Sequence, residues 1–210
     1  MAPTRVELGP EDRTGVVTLQ NNADEPVMVQ VQTFAWPRTL ATDDLEPTRE
    51  LIAVPPVFSL SGNAKQIIRV ALRGPLAGNR ERAYRLLITE VPRDGLKGSG
   101  VRFALRLSLP VFATPVGVQP RPVWSLLPGR GAGALELVNQ GTAHLHVRRI
   151  VLRARGRAEP LQVIDAPAYV LPGQGKTWAL SDLALAHGPL SLQAETNVGP
   201  IEASVVPPQG

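Results

Sequence analysis

Residues 101–112 read VRFALRLSLPVF. Val101, Phe103, Leu105, Leu107, Leu109 and Val111 are apolar, and Arg102, Arg106 and Ser108 between them are polar. Successive side chains of a strand point to opposite faces, so this pattern predicts a long β-strand with one unbroken apolar edge. That row is longer than a half-buried strand of ordinary length needs. Two readings follow: a core strand of a β-sandwich, or a strand shared with another protein.

The same alternation recurs along the whole chain. Short apolar–polar runs at 4–8, 15–20, 27–35, 65–72 and 82–91 predict strands, separated by turns such as Asn21–Pro26. Residues 37–50 are polar and predict a loop. Residues 51–60 are interrupted by Pro55-Pro56, which predicts a bend or a strand edge because proline supplies no ladder donor. A second series follows at 123–127, 133–139, 145–155, 161–170, 175–184, 188–196 and 202–206. Between the series lies TPVGVQPRPV, a proline-rich stretch read as a linker. The expected architecture is all-β: two tandem immunoglobulin-like sandwiches, 1–116 and 123–210, joined by 117–122.

Composition narrows the function classes. The chain has 210 residues, 43% of them hydrophobic, with 21 Pro and 19 Gly, which fits a turn-rich β protein and argues against disorder. No apolar run is long enough for a transmembrane helix, so no membrane insertion is expected. The net charge is +4, but the arginines are dispersed apart from Arg148, Arg149, Arg153, Arg155 and Arg157. Aromatics make up 4% of the chain, too few for a base-stacking platform, and no nucleic-acid partner is expected. With no cysteine, disulfides, thiolate metal sites and cysteine nucleophiles are excluded. No leader pattern precedes Thr4, so either the protein is cytoplasmic or a signal segment has been removed.

Enzyme signatures are missing. The histidines are His144, His146 and His187, and His144 and His146 share a strand face at a spacing that suits a metal. No cysteine or acid stands beside them in sequence, so solvated strand histidines are the simpler reading. No GxSxG, HExxH or phosphate-loop glycine pattern occurs. The expectation is a non-enzyme with no catalytic residue, no metal and no cofactor. A tandem-sandwich surface-binding or adhesion module is the competing class, although few aromatics are present to build a sugar platform.

Several landmarks in fixed order resemble one family. They are Thr4-Arg5-Val6, Val16–Asn21 (VVTLQN), 54–60 (VPPVFSL), 65–70 (KQIIRV), 84–92 (YRLLITEVP), and the long alternating strand followed by Pro115. Together they are similar to the periplasmic chaperones of the chaperone–usher pilus pathway, most strongly over 4–115. The LSLPVF ending resembles the archaic, spore-coat-U-type branch. The resemblance implies two sandwiches in an L-shaped arrangement and a periplasmic location with the signal peptide removed. It further implies that the chaperone lends a strand to an incomplete pilus or fimbrial subunit and delivers it to an outer-membrane usher.

By the same resemblance, Val101, Phe103, Leu105, Leu107 and Leu109 enter the subunit, and Arg5 binds its carboxy-terminal carboxylate. A sheet has two faces, so some of the five leucine-row residues can instead face the domain's own core. The family's second basic anchor corresponds to Pro110 here, leaving Arg5 alone or helped by Arg69, Arg85 or Arg106. Pro110 lacks a ladder donor, so the lent stretch is expected to end near Leu109. Thr114 stands where the family has an arginine, and Glu90 is assigned the place of that arginine's acidic partner. Self-association of the unloaded protein is a further expectation, since an exposed apolar edge is sticky.

Overall fold

Most strands among the described residues follow from period-two alternation, and no helix occurs among them. The computed structural model describes residues 1–37, 45–76, 78–91, 104–128, 133–154, 156–181 and 188–206. The chain divides into two units, Met1–Gly117 and Val118–Gly210.

The first unit contains β1 (Val6–Leu8), β2 (Thr14–Gln20), β3 (Val27–Ala35), β4 (Glu46–Pro47), β5 (Leu51–Val54), β6 (Val57–Leu60), β7 (Lys65–Leu72), β8 (Arg82–Val91) and β9 (Arg106–Ala113). One sheet runs β1-β9-β8-β3-β4, with β6 also on β3, and the other runs β2-β7-β5. Inward side chains of both sheets form one core, with Val17, Ile68, Val70 and Leu51 from one and Val31, Tyr84, Leu86, Leu109 and Val111 from the other. The proline pair inside 51–60 marks a change of sheet. β5 pairs with β7, whereas β6 pairs with β3.

The second unit contains β10 (Pro122–Leu127), β11 (Ala134–Asn139), β12 (Leu145–Ala154), β13 (Gln162–Ile164), β14 (Ala168–Val170), β15 (Gly175–Ala179), β16 (Leu190–Thr196) and β17 (Gly199–Val205). Its sheets are β10-β11-β15 and β13-β12-β16-β17, with β14 also on β12. The core here is built on Leu135, Leu137, Leu145, Ile150, Leu152 and Leu192.

The segment read as a linker is tied into the second unit. Thr142 and Ala143 N–H groups donate to the Gln119 carbonyl, and Gln140 N–H donates to that of Arg121. A side chain at Gly141 would meet the Arg121 nitrogen at 2.3 Å, so only glycine lets the two stretches lie this close. A buried asparagine closes a turn in each unit by satisfying backbone groups that a turn leaves unpaired. Asn21 donates to the Glu25, Leu60 and Ser61 carbonyls. Asn139 donates to Ala143 and Val170 and accepts from the Arg121 and Gly141 N–H groups.

Candidate functional site

The alternating strand is held on one side by β8 along its length, with Leu107 opposite Ile88, Leu109 opposite Leu86 and Val111 opposite Tyr84. On its other side β1 runs parallel to it and covers only Val111–Ala113. Among the described residues, no strand pairs with that edge of β9 before Val111.

Hydrogen-bond direction shows what this edge offers. Glu90 N–H donates to the Leu105 carbonyl, so backbone groups of odd-numbered residues face β8. Those of Arg106 and Ser108 therefore face the open side, and the Pro110 carbonyl, on the same side, meets β1 where its ladder begins. Thr114 N–H, on the same parity, reaches the Leu8 carbonyl of β1, which confirms the assignment. The nitrogen of Pro110 thus lies on the open edge, and its missing N–H costs the β8 ladder nothing. The placement is that of a tolerated edge proline.

The apolar row emerges progressively from the core. Val111 is fully buried and Leu109 is 1% exposed. Leu107 is partly buried against the same core, and Leu105 is 58% exposed. Val101 and Phe103 lie outside the described residues. Leu109, expected to enter a guest, is instead committed to its own sandwich, because the opposite sheet already covers the row at that level.

Arg5 immediately precedes β1. Val6 and Leu8 point into the core, so Arg5 and Glu7 share the outward face, where Arg5 Nε meets Glu7 Oε1 at 2.8 Å. Continuing the β1–β9 register by one residue sets Arg5 beside Pro110, where the open edge ends. Arg85 stands opposite Pro110 on the β8 side, also facing outward, with its guanidinium carbon 3.6 Å over the Trp36 ring. Arg5, Pro110 and Arg85 therefore form one row across three neighbouring strands.

The other two basic candidates lie apart. Arg106 is four residues down β9, roughly 13 Å at a strand's rise. Arg69 is on β7 in the opposite sheet. Glu7 was legible as the same-face neighbour of Arg5. Trp36 was not, because only the register of β3 on β8 brings it near Arg85.

One assignment is corrected. The carboxylate that meets Thr114 is that of Glu81, accepting its hydroxyl at 2.9 Å and only 4% exposed. Glu90 lies alongside Leu105 instead. The residues of a sequence run can match a family while the register places a different acid at the contact.

In the second unit, His146 stacks on Tyr169 at 4.0 Å, and His144 is buried beside the same ring with Asn197 at its Nε2. Among the described residues no cluster of three or more His, Cys, Asp or Glu side chains forms, and His187 lies outside them. These rings pack as structural groups around Tyr169.

Known proteins match this geometry over both units. A chain from the CsuC–CsuE chaperone–tip adhesion subunit pre-assembly complex, of archaic chaperone–usher Csu pili from Acinetobacter baumannii, superposes with a TM-score of 0.71. It is 22% identical, over 97% of this chain and 95% of that one. A chain from the Salmonella enterica complex of SafA pilin with the SafB chaperone gives a TM-score of 0.64 at 18% identity, covering 95% and 92%. The chaperone protein FaeE of Escherichia coli is 30% identical over 103 residues, which is 47% of this chain and 36% of that relative. The match thus spans about a third of the relative's length. The model of the family described as pili and flagellar-assembly chaperone, PapD N-terminal domain, matches residues 1–119, more than half of the sequence. This chain, with its paired sandwiches and half-covered alternating strand, belongs to the pili and flagellar-assembly chaperones.

Proposed function

We propose that this protein is a periplasmic chaperone that lends the open edge of β9 to an incomplete pilus or fimbrial subunit and passes the loaded subunit to an outer-membrane usher. The observation that carries the reading is the half-covered strand: an unpaired edge, an apolar row leaving its own core, and Arg5 where the edge ends. An added strand would pair with the outward backbone groups of Arg106 and Ser108. Its pockets would take Leu105 and Leu107, continuing to Phe103 and Val101. Each large side chain so buried contributes roughly 1.5–3 kcal/mol before ordering costs.

A guest whose carboxylate ends at Arg5 runs parallel to β9, in line with β1 beyond it. A guanidinium can hold that carboxylate with two parallel hydrogen bonds and thereby fix the register. Of the helper arginines, Arg85 is the one whose row includes Arg5 and Pro110, so it takes the place of the missing second anchor.

The test is a tagged pull-down from the periplasm of source cells, read by native mass spectrometry, for wild type, Leu105→Glu and Arg5→Ala. A one-to-one complex with a small β-rich subunit, lost in both variants, is the expected result. A wild type that carries no such partner, or a Leu105→Glu that keeps it fully, sinks strand lending and favours a surface-binding module.

A further inference from the structure

The ion pair at the end of the open edge has a role of its own. Arg5 and Glu7 lie two residues apart on one face of the same short strand, with their side chains 32% and 54% exposed and Nε to Oε1 at 2.8 Å. The guanidinium that would receive a guest carboxylate thus already carries one. We infer that Glu7 sets the affinity threshold of the carboxylate site: a tethered competitor that every guest carboxylate must displace or tolerate, at a cost that a whole bound strand offsets. The inference rests on the carboxylate-capture reading proposed above.

The sign of the effect follows from charge. If a guest carboxylate takes the Nε side of Arg5, Glu7 is displaced. If it takes the two Nη groups, Glu7 stays a few ångströms away as a like charge, which disfavours a second anion. Either way Glu7 opposes the guest. Exposed ion pairs hold their partners by factors of about 1.4 to 5, so a competitor of that strength weakens the apparent affinity about two- to six-fold. The factor is the same for every guest carboxylate, so it acts as a threshold. A chain end with no strand to bury falls below useful occupancy, while a subunit that adds apolar burial along β9 stays above it.

The experiment uses the full chain and a synthetic alternating Ser–Val peptide made as free acid and as carboxamide, with Kd measured at low salt by calorimetry. Wild type, Glu7→Gln, Arg5→Ala and the double variant are compared, with thermal melts as a folding control. The expected result is that Glu7→Gln tightens the free acid about two- to six-fold, leaves the carboxamide unchanged, and does neither in the Arg5→Ala background. A Glu7→Gln that leaves acid binding unchanged, weakens it, or tightens both peptides equally overturns the inference while carboxylate capture stands. If wild type binds neither peptide, or binds the acid no better than the carboxamide, carboxylate capture itself fails and takes this inference with it.

Discussion

The open half of β9 and the outer edge of β17 each have a single strand neighbour among the described residues, β8 and β16. Both carry features that discourage strand addition: Arg106 and Pro110 on one, Glu202 and Pro200 on the other. They differ in where the apolar row runs. On β17, Ile201 and Ala203 pack against their own core and Val205 is 2% exposed, so its inward row stays with that core along the strand. On β9 the row passes from buried Val111 and Leu109 through Leu107 to Leu105, out beyond the core. Receptivity therefore lies in the surplus of apolar surface along the edge, more than in the unpaired edge itself.

The largest effect that tests this contrast is at the buried end of the row. Leu109→Ala should lower stability by about 2–5 kcal/mol through a core cavity, seen as a fall in the urea midpoint with an unchanged slope. At the exposed end, Leu105→Glu should leave stability within about 0.5 kcal/mol. Subunit binding should weaken by about 1.5–3 kcal/mol or more, at least ten-fold in Kd, because a pocket meant for an apolar group receives a charge. Equal damage to folding from both variants would erase the distinction between the two ends of β9.

How far the sequence showed this varies with the kind of contact. Strands 27–35, 65–72 and 82–91 are found with the boundaries that alternation predicts. The first two have one face in the core and the other more exposed, and in the third Leu87 is buried on the face opposite Leu86 and Ile88. The single strand expected at 161–170 is two, β13 and β14, because Asp165-Ala166-Pro167 breaks the ladder on β12. The two-residue strand β4 inside the expected loop 37–50 has too little pattern to read. At the site, the apolar row was legible and its division was not. Whether Leu109 faces a guest or its own core depends on how far the opposite sheet extends, a long-range fact that local periodicity does not hold. The same applies to Arg85, which stands among three equivalent candidates in sequence and is singled out only by the β8–β9 register.

The covered half of β9 can be probed through Tyr84, opposite Val111. Its ring is 1% exposed and its hydroxyl donates to Glu50 Oε2 at 2.5 Å. Burial, then the hydrogen bond to Glu50, push its pKa well above the ordinary tyrosine value, with the Arg82 charge partly opposing them. The folded state therefore keeps this proton where the unfolded chain begins to lose it. That stabilisation is whole below about pH 10, the unfolded value, and is lost progressively as pH rises above it. Tyr84→Phe should cost about 0.5–1.5 kcal/mol at neutral pH and should flatten the alkaline decline in melting temperature. An unchanged alkaline limb would mean that Tyr84 does not titrate with unfolding.

The smallest expected effect is at Pro110, and it separates the two sides of the same strand. Its nitrogen faces the open edge, so Pro110→Ala restores one N–H there without adding or removing a bond to β8. The β8–β9 ladder should be unaffected, with amide-exchange protection at Leu86 and Ile88 as in wild type. A guest strand would gain one hydrogen bond of about 0.5 kcal/mol, about two-fold in Kd. Loss of protection at Leu86 would instead show that the proline ring is needed to hold β9 against β8. A guest affinity that stays constant while protection is kept would place the end of the lent stretch before residue 110, so that Arg5 meets a carboxylate arriving from Ser108 rather than alongside the proline.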